Sequence, residues 1–303
     1  MKVFVTGGTG AIGGHAVPAL VAAGHEVTAL ARTSEKAGVL RERGAKPVTV
    51  SLFDRDALAE VFAGHDAVVN LASSLPSMSR FLSTKAWEAA ERVRTEGSAA
   101  VADAALEAGV TRMIQESVCM IYPDRGGEWI REDVPVERYP AALGNLAAEA
   151  STNRFTEAGG TGVVLRFGWF YGPGAAHSEQ LLGQARLGIG AALGRLDGYV
   201  SSIHMTDAAS AVVSALKAPA GVYNVVDDEP LTKRDYTAAL AAAAGRRQWT
   251  RGPGRAALLL GDRLTSLTRS IRVSNAAYRE ATGWSPRYPS AREGWLATAE
   301  ALG

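Results

Sequence analysis

The segment Thr6-Gly-Gly-Thr-Gly-Ala-Ile-Gly13 is the strongest local signal in this sequence. It follows a short apolar run, residues 3–5, and opens a stretch with helical periodicity that ends before Gly24. Strand, glycine turn and helix in this order are the context in which a glycine-rich turn binds a pyrophosphate. The segment therefore predicts a strand–helix unit with an anion site at the start of its helix.

The glycines of this turn have separate roles in the prediction. Gly7 permits the tight turn, Gly10 lets the backbone approach a pyrophosphate, and Gly13 lets the helix pack closely on the strand. The amides of Ala11 and Ile12 then point at the phosphates from the positive end of the helix dipole. A glycine turn that holds no ligand is the alternative. The expected phosphate-binding set is Gly7, Thr9, Gly10, Ala11, Ile12 and Gly13.

Strand and helix patterns alternate over the first half of the chain. Short apolar runs are bounded by glycines or polar turns, and the segments between them have helical length and periodicity. This order predicts an α/β fold, a doubly wound parallel sheet of the Rossmann type with helices on both faces. The predicted strands are residues 3–5, 26–31, 47–50, 67–71, 113–115, 162–167 and 222–225, and the predicted helices include residues 13–23, 35–43 and 92–108.

The alternation loosens after about residue 172. Residues 183–194 are interrupted by glycines, and residues 231–244 and 255–270 have helical patterns. These features predict a second, smaller lobe that binds substrate. We expect a dinucleotide-binding domain over residues 1–171 plus approximately 200–227, and a C-terminal lobe over residues 172–199 plus 228–303.

Composition excludes several classes of protein. The 303 residues carry 32 Lys and Arg against 31 Asp and Glu, so a net charge of +1 gives no electrostatic argument for a nucleic acid or a membrane as partner. Hydrophobic residues at 47% indicate a globular chain rather than a disordered one. The single cysteine, Cys119, cannot form an internal disulfide, and we expect a cytoplasmic protein with no metal site.

The end of the second predicted strand bears on the adenosine half of the dinucleotide. An acidic residue there would bind the ribose 2′-hydroxyl, but Arg32 suits a 2′-phosphate, with Thr33 as a hydroxyl donor. This favours NADP(H), with NAD(H) possible, and a solvated Arg32 is the alternative. Asp54 is placed to accept from the adenine amino group or, equally, to cap the next helix. Ala72 and Ser73, after the strand at 67–71, complete the expected cofactor-binding set.

Several motifs together resemble the extended branch of the short-chain dehydrogenase/reductase superfamily, which includes sugar-nucleotide epimerases and dehydratases. The Thr-Gly-x-x-Gly-x-x-Gly spacing at the amino terminus is one of them, and the resemblance covers nearly the whole chain. It implies the fold and the cofactor type more specifically than the chemistry. The later motifs are Arg112-Met-Ile-Gln-Glu-Ser-Val-Cys-Met-Ile-Tyr122, Leu165-Arg-Phe-Gly-Trp-Phe-Tyr-Gly-Pro173, Ser202-Ile-His-Met-Thr-Asp207, Tyr223-Asn-Val-Val-Asp227 and Thr282-Gly-Trp-Ser-Pro286.

The catalytic groups that the resemblance implies are missing. The superfamily uses a Tyr, a Lys four residues later that lowers the pKa of the phenol, and a Ser or Thr. Here those positions hold Ala141, Asn145 and Val118. The nearest replacements are Tyr139 and Ser117, which with Asn145 form the candidate catalytic set. The usual proton relay is therefore not expected.

The remaining candidates concern a substrate pocket. Arg166 could hold an anionic or carbonyl group or form a structural ion pair, and His177 is a candidate acid or base with chance surface placement as the alternative. We expect the pocket between residues 73–76 and 170–177. Its expected lining is Ser74, Tyr122, Arg166, Trp169, Phe170 and His177.

Two functions of different class follow from these residues. The first is an NADP(H)-dependent oxidoreductase that reduces a small carbonyl, alkene or iminium without the usual relay, because the nicotinamide itself carries the hydride. The second is a non-catalytic NADP(H)-binding sensor or partner protein, and the resemblance adds a sugar-nucleotide epimerase or dehydratase. The expected partner is a small-molecule substrate, and residues 92–108 with 141–156 could form a homodimer interface.

Overall fold

The computed structural model describes residues 1–74, 84–190, 193–247, 250–251 and 265–303. Residues 75–76 of the expected pocket and most of the expected helix at 255–270 lie outside these ranges. None of the described helices is long and apolar enough to cross a membrane.

A seven-stranded sheet confirms the predicted fold class. The strand order is β12-β7-β5-β4-β1-β2-β3, and the pairs β1–β2, β1–β4, β2–β3 and β4–β5 run parallel, with Val3 opposite both Val27 and Ala67. The chain adds β2 and β3 on one side of β1 and then returns to add β4, β5, β7 and β12 on the other side, which is the doubly wound arrangement. The strands are β1 (Lys2–Thr6), β2 (Glu26–Leu30), β3 (Lys46–Val48), β4 (Ala67–Asn70), β5 (Arg112–Val118), β7 (Thr161–Phe167) and β12 (Gly221–Val225).

Helices accompany these strands, and those that start at Gly13, Ser34 and Lys233 begin within two residues of the predicted positions. One difference is local: the expected helix at 92–108 is interrupted by a π-helical turn, Val93–Gly97. The helices are α1 (Gly13–Ala22), α2 (Ser34–Glu42), α3 (Arg55–Phe62), α4 (Thr84–Arg92), α5 (Ser98–Glu107), α6 (Pro140–Glu157), α7 (Ala176–Arg186), α8 (Met205–Ala215), α9 (Lys233–Ala243), α10 (Thr265–Thr268), α11 (Ala276–Thr282) and α12 (Ala291–Ala301).

Strand β5 is longer than the expected strand at 113–115. Its polar residues Gln115, Glu116 and Ser117 are all buried, which an apolar pattern cannot detect. Each of them has a buried polar partner, described below, and this pairing removes the cost of burying it.

The chain divides into two compact units. The first comprises residues 1–117, 143–165 and 208–223, and the second residues 118–142, 166–207 and 224–303. In the first unit the core includes Phe4, whose ring lies 4.6 Å from that of Phe62. In the second unit Tyr171, Leu240 and Trp295 belong to one buried cluster.

This division differs from the expected one at residues 118–142, 166–171, about 200–207 and 224–227, all of which belong to the second unit. Strand β6 (Trp129–Ile130) pairs with β15 (Arg272–Val273), and the backbone amide of Ser270 donates to Asp124. The reason is thus a set of contacts between segments more than 140 residues apart in sequence, which local periodicity does not reveal. The second unit also contains the short strands β8 (Trp169–Tyr171), β9 (Ile189–Gly190), β10 (Tyr199–Val200), β11 (Ser202–His204), β13 (Leu231–Thr232) and β14 (Thr250–Arg251).

Candidate cofactor and substrate site

The glycine turn between β1 and α1 is shaped by close backbone contacts. Gly7 has φ +71°, and a Cβ on it would lie 2.4 Å from the carbonyl oxygen of Leu71. A Cβ on Gly13 would lie 2.1 Å from the carbonyl oxygen of Gly7. Both contacts are far inside van der Waals range, so no other residue type fits at these two positions without moving the backbone.

The N-terminus of α1 is left open by this turn. No side chain caps it and its first turn has no acidic residue, whereas the side chains of Thr33, Asp54 and Thr232 cap α2, α3 and α9. Gly10 and Ala11 are exposed beside it. An uncapped helix start with exposed glycine backbone next to it suits the pyrophosphate of a dinucleotide, so the residues present fit this group.

The residues expected around the adenosine lie at the ends of β2 and β3. Arg32 is exposed just after β2, and Thr33 accepts a hydrogen bond from the amide of Lys36 at 3.3 Å. Asp54 accepts from the amide of Ala57 at 3.1 Å, so the capping alternative is observed. The adenine contact of Asp54 stays a prediction.

Arg43 is a residue near the turn that sequence reasoning missed. Its Nη1 donates to the carbonyl oxygen of Gly8 at 3.2 Å, and its guanidinium lies 3.4 Å from the place of a Cβ on Gly14. The side chain thus ties the end of α2 to the glycine turn. Only its basic character is visible in the sequence.

A buried polar network, also missed, supports the loop after β4. Asn70 accepts from Thr6 Oγ1 at 2.5 Å and donates to Gln115 Oε1 at 2.8 Å and Ser98 Oγ at 3.2 Å. The same Asn70 oxygen accepts from the amide of Ala72 at 3.4 Å. The network joins the carboxyl ends of β1 and β4 to the middle of β5, and the carboxyl ends of the strands form the edge where ligands bind in open α/β sheets. It fixes the start of the loop that contains the predicted residues Ala72, Ser73 and Ser74.

Ser117 and Asn145, two of the candidate catalytic residues, lie in the first unit. Ser117 is fully buried, and its hydroxyl donates to Glu149 Oε1 at 2.6 Å. Asn145 is buried on α6, one turn before Glu149. Ser117 therefore donates to a protein carboxylate in this structure.

Tyr139, the third candidate, lies in the second unit. Its hydroxyl donates to the carbonyl oxygen of Met120 at 2.8 Å, and the Arg269 guanidinium lies 4.6 Å from its ring centre. Burial raises the pKa of the Tyr139 phenol to about 12. The phenol is protonated at neutral pH and cannot act there as a base.

Tyr122 and Arg166, both expected in the pocket, contact each other inside the second unit. Arg166 Nη1 donates to the Tyr122 hydroxyl at 2.8 Å, which in turn donates to Asn224 Oδ1 at 2.9 Å. Tyr122 has no exposed surface, and burial raises its pKa to about 12. Glu132 Oε1 accepts from the backbone amide of Asn224 at 2.8 Å, and burial raises the pKa of the Glu132 carboxyl. The structure therefore places Tyr122 in the interior, because its hydroxyl bridges two buried polar side chains.

Trp169, Phe170 and His177 form a second local group. His177 Nε2 lies 2.5 Å from the carbonyl oxygen of Phe170, and its ring meets that of Trp169 edge-on at 5.6 Å between centres. Burial lowers the pKa of His177, so the ring is neutral and its Nε2 proton is donated to a backbone oxygen. Trp169 and Phe170 are half-buried. No group of three His, Cys, Asp or Glu side chains suited to a metal ion occurs in the described parts of the chain.

The sheet order, the open glycine turn and the late motifs are those of a Rossmann-type protein that binds a nicotinamide dinucleotide. The family model "NAD dependent epimerase/dehydratase family" matches residues 3–226, and the chain belongs to this family. The resemblance to the extended short-chain dehydrogenases/reductases is thereby confirmed.

Particular relatives are similar over nearly the whole length. The 3-diazoavenalumate denitrifying reductase of a Streptomyces species is 32% identical, over 97% of this chain and 99% of its own. The structure of human epimerase family protein SDR39U1 with NADPH is 25% identical, with a TM-score of 0.80, covering 99% of each chain. The UDP-glucose 4-epimerase of Thermus thermophilus, in complex with NAD, is also 25% identical, with a TM-score of 0.80, covering 99% of this chain and 98% of that one.

Proposed function

We propose that this protein is an NADP(H)-dependent reductase whose acceptor takes up a hydride without a proton from a Tyr/Lys pair. One observation carries the proposal: the cofactor turn has the features that a dinucleotide needs, whereas Ala141, Asn145 and Val118 stand where the relay would be. A cofactor site without a relay suits chemistry in which the hydride step is the whole reaction.

The cofactor half of the proposal has three supports. The open N-terminus of α1 suits the pyrophosphate, and the exposed Arg32 suits a 2′-phosphate. The human relative with a similar fold binds NADPH, although the bacterial epimerase binds NAD. The charge on Arg32 favours the phosphorylated dinucleotide.

The acceptor half follows from the side chains of the relay positions. When bound, the dihydronicotinamide supplies a hydride. Reduction of a simple ketone would create an alkoxide that needs a proton, and neither the Ala141 methyl group nor the Asn145 amide can supply one. A cationic acceptor has no such need. An arenediazonium ion that takes up one hydride and releases N₂ becomes a neutral arene, with no net uptake of protons.

The Streptomyces relative supports this acceptor class. Its name describes a reductase that removes nitrogen from a diazo compound, and it matches this chain over almost its full length. Within the proposal, Tyr139 and Ser117 position neighbouring groups through Met120 and Glu149 and transfer no proton. The protein then binds and orients the acceptor and excludes water.

The test compares reduction of an arenediazonium ion by NADPH with oxidation of a simple alcohol by NADP⁺. Wild-type protein is mixed with NADPH and an arenediazonium salt, and with NADP⁺ and a simple secondary alcohol. We expect the arene and N₂ to form, with oxidation of NADPH, faster than in the absence of protein, and negligible alcohol oxidation at neutral pH. Rapid alcohol oxidation would refute the proposed chemistry.

Arg32→Ala tests the cofactor. We expect the preference for NADPH over NADH to fall by about tenfold, the worth of one charge-assisted contact at an exposed site. Arg41→Ala, in the last turn of α2, is the matched control and should leave the preference unchanged. Equal affinities of the wild-type protein for the two cofactors would refute the NADP(H) assignment.

A non-catalytic NADP(H)-binding protein is the second candidate. The commitment of the Ser117 and Tyr139 hydroxyls to protein acceptors favours it. It predicts tight NADPH binding with no protein-dependent oxidation of NADPH by any acceptor, so the same experiment distinguishes the two functions.

A further inference from the structure

Arg94 lies on the π-helical turn between α4 and α5. This turn, Val93–Gly97, inserts an irregular backbone between two regular helices, and Arg94 is buried within it with 4% of its surface exposed. Such π-helical turns are rare and frequently occur at functional sites. A guanidinium keeps its charge at any physiological pH, so a permanent cation is held inside the first unit.

Only part of the Arg94 guanidinium has a partner. Its Nη2 lies 3.1 Å from Oε1 and 3.0 Å from Oε2 of Glu116, a residue that is also buried. Its Nη1 is buried as well, and among the described residues it has no hydrogen-bond acceptor. A buried donor without an acceptor loses its hydrogen bonds to water without replacement, and proteins rarely keep one without a reason.

The position of Arg94 connects it to the missing relay. A Cβ on Gly144 would lie 3.2 Å from Arg94 Cβ and 3.5 Å from its Cδ, so the arginine stem packs directly on α6. The next residue of α6 is Asn145, which occupies the relay's lysine position. Glu116, the partner of Arg94, precedes Ser117 on β5. A lysine at position 145 would bring a positive charge to this part of α6. Arg94, which packs on α6 beside that position, carries a positive charge instead.

We propose that Arg94 Nη1 binds an anionic oxygen of the substrate, a carboxylate or a phenolate, while Nη2 remains paired with Glu116. The inference rests on the proposed reductase function and adds the substrate class: an acceptor that carries a negatively charged oxygen. The buried position strengthens such a contact, because a charge-assisted hydrogen bond is stronger away from water. Glu116 holds the guanidinium in place.

The test measures the affinity for simple anions by calorimetry, with and without saturating NADP⁺. The probes are 4-methoxybenzoate, which has only the carboxylate, and 4-nitrophenol, whose acidic phenol is its only anionic group, with 4-nitroanisole as the neutral control. We expect at least one anion to bind the wild-type protein more tightly than nitroanisole. Whichever anion binds identifies the oxygen as carboxylate or phenolate.

Two variants separate binding from stability. Arg94→Lys keeps a cation for Glu116 but has a single nitrogen, so anion affinity should fall about ten- to a hundredfold. Arg94→Met/Glu116→Met removes both charges together, which a buried pair tolerates better than the loss of one, and should abolish anion binding in a folded protein. Arg92→Lys, in an exposed pair with Glu96, is the matched control and should leave anion affinity unchanged.

Unchanged anion affinity in Arg94→Lys and in the double variant would overturn the inference, and so would a wild-type protein that binds neither anion. An NADPH titration of the same samples separates this result from failure of the proposed function. Normal NADPH binding with unchanged anion affinity overturns only the role of Arg94. A wild-type protein that binds no NADPH overturns the reductase function, and the cofactor-free titration still reports on Arg94.

Discussion

Lys233 gives the sharpest prediction about stability. It is 4% exposed at the start of α9, and its ammonium donates to the carbonyl oxygens of Leu193 at 2.6 Å, Thr268 at 2.8 Å and Leu267 at 3.0 Å. Burial lowers the pKa of Lys233 to about 8, so at pH 7 the group is still protonated and all three N–H bonds have an acceptor. A single side chain thus joins three segments of the second unit.

Lys233→Met keeps the length of the side chain and removes the ammonium. Three carbonyl oxygens of half-buried residues then lose a charged donor. At about 1 kcal/mol each, the low end of the range for orphaned groups, the free energy of unfolding should fall by about 3 kcal/mol. For a chain of this size the unfolding midpoint should fall by roughly 6–9 °C. The glycine turn lies in the other unit, so NADPH affinity below the midpoint should not change.

The assay is urea and thermal unfolding followed by tryptophan fluorescence. Lys217→Met is the matched control, because Lys217 is exposed and its loss should change the free energy of unfolding by less than about 0.5 kcal/mol. If Lys233→Met unfolded within about 0.5 kcal/mol of the wild-type protein, water or backbone movement would be satisfying the three carbonyls, and the reasoning would be wrong.

Two further predictions concern the glycine turn and the tyrosines. Gly13→Ala should weaken NADPH binding and lower the unfolding midpoint, because its Cβ would meet the Gly7 carbonyl oxygen. Gly38→Ala is the control: its Cβ would enter open space on α2, so the free energy of unfolding should rise by about 0.5–1 kcal/mol. Equal effects of the two variants in unfolding and NADPH titrations would contradict this. The pKa of Tyr139 is raised to about 12, above its value near 10 in an unfolded chain, so the folded state holds the extra proton and loses stability as the pH rises from 10 to 12. Tyr139→Phe should reduce this alkaline loss and leave the pH profile of reduction between 7 and 9 unchanged, and a shifted profile would show that the phenol takes part in the reaction.

The glycine turn could be predicted from sequence because its requirements are local. Gly13 meets backbone atoms of Gly7 and Gly8, and the fixed spacing of the motif encodes that contact. Gly7 has φ +71°, a conformation that itself favours glycine. The sheet follows from the same kind of signal, since strands such as β1 and β4 are short apolar runs. These features need no knowledge of distant partners.

The polar part of the site could not be predicted, for a physical reason. Gln115, Glu116 and Ser117 form a polar run, of which only Gln115 falls within a predicted strand, yet each is buried against a partner 22 to 45 residues away. A hydropathy pattern reports the cost of burying a polar group and contains nothing about the partner that offsets it. For this reason the sequence pattern did not predict the length of β5, the π-helical turn or the pairing of Arg94.

The hydrogen bonds around Asn70 also limit how the sheet edge can be redesigned. Thr6, Asn70 and Gln115 stand on three adjacent strands, and each satisfies the next. Replacing one removes a hydrogen bond from a buried neighbour, whereas replacing all three with apolar residues of similar size removes the mutual bonds together and leaves only Ser98 Oγ, the Ala72 amide and the Glu116 carbonyl oxygen to find other partners. A mutagenesis library that varies these positions one at a time should return only the parent sequence, and new combinations should emerge only when the three codons vary together.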